Sequence, residues 1–254
     1  PYLGRIHSAV RYGQAVADVL LALHAKGFSP DIVVGHPGWG ESLFVRDIFP
    51  RAPYLNYCEF YYGPEGRDYG FDPAHRTSQN TRQALRLRAT PLLSALEACD
   101  RGLSPTYWQR STHPTAFQSK IDVIHEGVDV DALRPIADAR FILDDGRVLT
   151  RNDSVVTYVA RNLEPYRGFP SFMRAVPKIL DAAPDAEILV IGGDGVSYGS
   201  RPRDAETWRE AMLAETGLRS PRLHFLGHVP YKRYVSALSV SSAHVYLTYP
   251  FTLS

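Results

Sequence analysis

The second half of the chain alternates between two hydrophobic periods, and that alternation limits the fold more than any other feature. Residues 155–160, 187–191, 223–226 and 244–248 are short apolar runs rich in β-branched and aromatic side chains, which predicts buried strands. Helical patterns fill the gaps at about 170–182, 204–215 (with Asp204 as N-cap) and 231–241. The first is the clearest: Phe169, Phe172, Met173, Val176, Ile179 and Leu180 fall at the spacing of one helix face. Strands alternating with helices imply a parallel sheet with right-handed crossovers. Such sheets bind ligands beyond the carboxyl ends of their strands. Those ends are the loops ARNLEPYRG, GGDGVSYGS, GHVP and YPFTLS, which carry glycines, an arginine pair and exposed aromatics.

The arginine pair is the strongest chemical signal. Arg161 and Arg167 stand between a strand and a helix that starts after Gly168. A helix N-terminus offers unpaired N–H donors, and guanidinium forks match phosphate oxygens. Each charge-assisted bond contributes roughly 1.5–3 kcal/mol, so two arginines suit a diphosphate. The plain alternative is that both pair with Glu164, Asp181 or another acid.

The first half reads as the same kind of structure. A helix capped by Ser8 runs to about Lys26, with Tyr12, Val16, Val19, Leu20 and Leu23 on one face. Strands are expected at 31–35, 54–59 and 121–125, and a long helix at 80–99 kinked at Pro91. Residues 134–153 lack periodicity and read as the interdomain connection, which gives domains at 1–134 and 154–254 with a linker at 135–153. His36, Trp39 and Gly40 follow the first strand and suit a carbohydrate platform, although a lone Trp is also a common core residue. Glu59 ends the next strand, where it can meet a sugar hydroxyl or pair with Arg67 or Arg76. In Gly193-Asp194-Gly195 the acid can bond a ribose or sugar hydroxyl; the alternative is a tight turn. Asp129-Val130-Asp131 spells D-x-D but reads as a turn or helix start, and no metal site is expected.

Composition narrows the class further. The chain has 254 residues, 44% hydrophobic and 22% charged, ordinary values for a globular protein. A formal net charge of +1 gives no global argument for nucleic acid. Cys58 and Cys99 are too few for a disulfide framework, so a reducing, cytoplasmic compartment is expected. No apolar run reaches the ~20 residues of a membrane span, and no signal peptide is visible. The chain opens almost directly into a helix and stops just past an apolar run, so a piece of a longer protein is expected.

Four segments, IDVIHEGVD, VTYVARNLEPYRGF, ILVIGGDG and LHFLGHVP, carry a resemblance in their order and spacing. They resemble the retaining glycosyltransferases of family 4, also called group 1. RNLEPYRGF, GHPGWGE and EFYY are similar to a bacterial subgroup of polysaccharide or lipopolysaccharide assembly. The resemblance implies an α/β fold of GT-B type, two Rossmann-like domains with parallel sheets facing a cleft, the second truncated. It implies transfer of a sugar from a nucleotide-diphosphate sugar (UDP, GDP or ADP) to a saccharide or lipid-linked acceptor, with retention and without a cofactor or metal. Arg161 and Arg167 would hold the donor diphosphate, Arg167 standing where the family commonly has lysine. Gly168, Gly193, Asp194, Gly195, His228, Val229, Tyr231, Tyr249 and Phe251 would line the donor side, and His36, Trp39 and Gly40 the acceptor side. Glu59 stands where many members have a histidine beside the donor sugar, which places it among the catalytic candidates. The E-x7-E motif and the first glycine-rich loop are not in the sequence, which implies that this piece is inactive alone. Nucleic acid is not an implied partner; peripheral contact with the inner face of a membrane is one that such enzymes make. The competing expectation is a non-catalytic GT-B-like module that binds a sugar nucleotide or glycan.

Overall fold

The computed structural model describes residues 2–64, 66–71, 77–249 and 252. The chain divides into two compact units, with the border between Gly127 and Val128.

The first unit is built on four parallel strands in the order β1 (Val33–Gly35), β2 (Tyr54–Tyr57), β3 (Arg101–Ser104) and β4 (Ile121–Val123). One sheet face buries Tyr54, Asn56, Cys58, Ser104 and Ile121. Cys58 and Ile121 cluster with Leu96 of helix α4 (Thr90–Ala98). The long helix expected at 80–99 is two helices, α3 (Gln79–Arg88) and α4, parted at Ala89 because Pro91 lacks the N–H that would continue the ladder.

Helix α1 (Leu3–Ala25) corrects two expectations. Ser8 is not its cap; it lies inside the helix and its hydroxyl donates to the Gly4 carbonyl at 3.0 Å. The buried face is Ala9 and Gly13, whereas Tyr12, Val19 and Leu23 of the predicted stripe are exposed. Small residues allow close approach here: a Cβ on Gly13 would lie 2.8 Å from the Gly40 carbonyl oxygen and 3.0 Å from the Phe44 ring.

The second unit holds a four-stranded parallel sheet in the order β10 (Ala243–Val245), β7 (Val155–Asn162), β8 (Glu187–Gly193) and β9 (Leu223–Gly227). Every residue of β8 is buried, as expected of a strand covered on both faces. One face packs on α7 (Phe169–Ala182) through Phe169, Phe172, Met173, Val176 and Leu180, the stripe that the periodicity predicts, with Ile179 at its half-buried edge. The other face packs on α9 (Tyr231–Val240) through Leu189, Ile191, Ala237 and Val240.

Residues 135–153, expected to be a connection, contain a hairpin of this second core. Strands β5 (Arg140–Ile142) and β6 (Val148–Thr150) pair antiparallel, and Phe141 and Leu149 are buried in the α9 cluster. Strands of three residues leave too short an alternation to stand out in sequence. The exposed segment lies earlier, at residues 124–138. Asp204 is not the cap of α8 (Trp208–Thr216); Thr207 is, in a capping box with Glu210. Strand β10 also ends earlier than the apolar run, leaving 246–248 beyond it. Among the described residues, no helix is long and apolar enough to cross a membrane.

Candidate functional site

Register fixes which loops meet at the carboxyl edge of the second sheet. Asn162 pairs with Gly193, and Ile191 with Gly227, so the loops after β7, β8 and β9 are neighbours. A register shift between Val159 and Asn162 marks the end of β7, where Arg161 stands exposed with no hydrogen bond or ion pair among the described residues. The chain then makes a 3₁₀ turn (η1, Pro165–Arg167) ending on Gly168 at φ 73°. Glycine is doubly required there, since a Cβ would also lie 2.4 Å from Leu247.

Arg167 is held from several sides. The Tyr158 hydroxyl donates to its carbonyl at 2.8 Å, its guanidinium lies 3.4 Å from the Thr248 hydroxyl, and the Tyr198 ring sits 5.7 Å from the guanidinium carbon. Glu164, one of the acids expected to neutralise the pair, is wholly buried and accepts N–H groups from 197–199. The helix end offers less than its sequence implied. Phe169 N–H is turned to the Glu164 carbonyl at 3.4 Å and Pro170 has none, which leaves Ser171 N–H as the donor of the first turn without a partner among the described residues.

The glycine loop after β8 serves packing within the protein. A Cβ on Gly193 would meet His228 Nε2 at 2.2 Å and Asn162 Oδ1 at 2.9 Å, and one on Gly195 would meet Asn162 at 3.1 Å. Asp194 Oδ2 forms an ion pair with Arg209 at 2.8 Å, while its buried Oδ1 has no hydrogen-bond partner among the described residues. His228 and Tyr231 are exposed beside this loop, while Val229 packs on the α9 core. Tyr249 N–H bonds the Tyr166 carbonyl at 3.1 Å, tying the chain after β10 to the arginine loop. Phe251 lies outside the described residues.

In the first unit, the loops after β1 and β2 come together. Gly38 N–H donates to His36 Nδ1 at 3.2 Å, so Nε2 carries the proton it shares with Glu59 Oε2 at 3.1 Å. Trp39, 63% exposed, stacks on the His36 ring at 5.1 Å, and the Tyr57 ring lies 5.8 Å from the same imidazole. Glu59 therefore pairs with His36; the guanidinium of Arg67 goes to the carbonyls of Tyr61 and Thr112, and Arg76 lies outside the described residues. Gly40 is explained by packing, since at φ 102° a Cβ would overlap the Ala9 carbonyl at 2.3 Å.

His36, Tyr57, Glu59, Tyr62 and His113 are among the residues that line a small open cleft here. Two contributors, Tyr57 and His113, escaped the sequence reading. Tyr57 donates its hydroxyl to Glu126, and burial, then Glu126, hold that phenol well above its ordinary range. His113 is 4% exposed, and burial pushes its imidazole down to about 4. Its Nδ1–H donates to the Gln109 carbonyl at 3.0 Å. No spacing rule links these residues, so only the fold assembles them. Asp129 behaves as a turn residue, accepting from the N–H groups of Asp131 and Ala132. Among the described residues, no group of three or more His, Cys, Asp or Glu could hold a metal ion.

Two Rossmann-like units, each built on a parallel sheet, place the fold in the GT-B class. Residues 1–133 match the family described as "Glycosyl transferase family 4 group", and the chain belongs to that glycosyltransferase family. No curated protein matches the sequence. Among solved structures the chain is similar to an Escherichia coli one described as trehalose-6-phosphate bound with UDP-2-fluoro glucose. The TM-score is 0.62 at 13% identity, covering 96% of this chain and 58% of that one. It is also similar to the N-terminal domain of Candida albicans trehalose-6-phosphate phosphatase, with a TM-score of 0.58 at 12% identity, covering 98% of this chain and 57% of that one. The chain thus spans under two thirds of the length of either structure. At such identities the likeness speaks to fold alone.

Proposed function

We propose that the protein transfers a sugar from a nucleotide-diphosphate sugar to a saccharide or lipid-linked acceptor, with retention at the anomeric carbon. The observation that carries this reading is Arg161, exposed and with no side-chain partner among the described residues, at the carboxyl end of β7, one short turn before the anchored Arg167. An unpaired guanidinium beside a second one calls for an anion, and a departing diphosphate supplies it. Fixed positive groups aimed at developing charge act most strongly where water is excluded. The leaving diphosphate takes the acceptor's proton, so no dedicated base is needed. Membership of a glycosyltransferase family supports the reaction class. The E. coli structure bound with UDP-2-fluoro glucose supports a nucleotide-sugar donor. The His36–Glu59 pair in the cleft, with the exposed Trp39 stacked on His36, suits the hydroxyls and ring face of a saccharide.

The test replaces Arg161 and Arg167 together with alanine in the full-length protein. Transfer should be lost, and calorimetric binding of UDP, GDP or ADP should weaken at least a hundredfold, as expected when two charge-assisted contacts of roughly 1.5–3 kcal/mol each are removed. Unchanged nucleotide binding would remove the donor assignment.

A further inference from the structure

We infer that Glu164 is a positioning residue. Its buried carboxylate fastens the loop at 197–199 onto the arginine loop and thereby sets Tyr198 against Arg167. This rests on the donor reading above, because its purpose is to preform the face that meets the diphosphate.

Glu164 is 0% exposed, and no cation faces its carboxylate among the described hydrogen bonds and ion pairs. Three successive backbone N–H groups take that place. Ser197 N lies 3.3 Å from both carboxylate oxygens, Tyr198 N lies 3.2 Å from Oε2 and Gly199 N lies 3.0 Å from Oε2. Consecutive N–H groups converging on one anion form a nest, a strong arrangement for a carboxylate out of water. The carboxylate thus plays inside the protein the part that an anionic ligand plays in other nests.

Neighbouring contacts make the loop a strap held along its length. Asn162 Nδ2 donates to the Ser197 hydroxyl at 2.7 Å, and the Trp208 indole N–H donates to the Ser200 carbonyl at 2.8 Å. At Gly199 a Cβ would lie 3.3 Å from Glu164 Oε2 and 3.4 Å from the Tyr166 ring, so the strap lies close on its seat. Tyr198 occupies the middle, and its ring is 5.7 Å from the Arg167 guanidinium, within cation–π range. A glutamine at 164 keeps the volume but turns an NH2 toward Ser197 N–H, which faces both carboxylate oxygens.

The full-length protein and its Glu164→Gln and Tyr198→Ala variants decide the matter in two measurements. First, amide hydrogen exchange without ligand should show residues 197–199 protected in the parent protein. In Glu164→Gln they should exchange about tenfold faster or more, with β8 and α7 unchanged. Equal protection in both would overturn the fastening. Second, inorganic pyrophosphate is titrated by calorimetry. Affinity should fall about tenfold in Glu164→Gln and roughly two- to fivefold in Tyr198→Ala, the range of a partly exposed cation–π contact. Faster exchange with unchanged affinity would overturn the positioning role and leave Glu164 a purely structural group. Tyr198 is partly exposed, at 44%, so Tyr198→Ala should stay folded near the parental Tm; should Glu164→Gln fail to fold, unchanged pyrophosphate affinity in Tyr198→Ala overturns the inference. If the parent protein itself does not bind pyrophosphate, the donor reading falls and the positioning role with it. The exchange result still decides whether Glu164 fastens the loop.

Discussion

At His113 the ring is packed away from water, so the charged form is disfavoured and the imidazole titrates near 4 instead of its ordinary 6.5. A basic group with a depressed folded-state pKa binds fewer protons folded than unfolded between those values. Stability is therefore full above about pH 6.5 and is lost as pH falls toward 4. The stability lost across that window is on the order of 3 kcal/mol. His113→Gln should be less stable than the parent at pH 7.5, and urea titrations should show that gap closing by pH 4; a gap independent of pH would place the ring in water. Gly168 gives a second residue-scale prediction. Alanine there must adopt φ 73° and overlap Leu247 at 2.4 Å, so a loss of roughly 2 kcal/mol or more is expected in thermal unfolding, together with weaker nucleotide binding.

Helices differ in how openly their sequences state their role. Helix α7 reads directly because it buries one continuous stripe, and Phe172, fully enclosed against Tyr158 at 4.7 Å, should cost about 3–5 kcal/mol when cut to alanine, as read from the urea midpoint. Helix α1 does not, since Ala9 and Gly13 are its fully buried residues while Tyr12, Val19 and Leu23 stay exposed. Size complementarity with Gly40 and Phe44 decides that face, and periodicity carries no information about it. Helix α8 shows the same at an end: Asp204 and Thr207 are both good caps by type, and only Thr207 accepts the Glu210 N–H, at 3.1 Å. Thr207→Ala should lower stability by about 1 kcal/mol, whereas Asp204→Ala should leave the unfolding midpoint unchanged.

Across the whole chain, two separately cored units are joined through exposed residues 124–138. Backbone there lacks the burial that resists cleavage, and Arg134 lies inside it. Brief trypsin treatment should cut first at Arg134 and release two fragments that match the units; initial cleavage within β5–β6 would mean that the hairpin does not belong to the second core. The sequence places the connection later because the hairpin strands are short and their partners sit in α9, about 90 residues away.

By itself, the sequence determined the α/β class, the parallel sheets and the basic loop at a strand's carboxyl end. Those rest on local period and residue type, which neighbouring positions carry. Tertiary structure alone decided that Glu164 serves amides 33 to 35 residues onward, that His36 shares its proton with Glu59, and that Gly40 and Gly193 make room for protein atoms. A hydrogen bond or a close approach between distant segments exists only once the chain is packed, and no spacing along the chain encodes it.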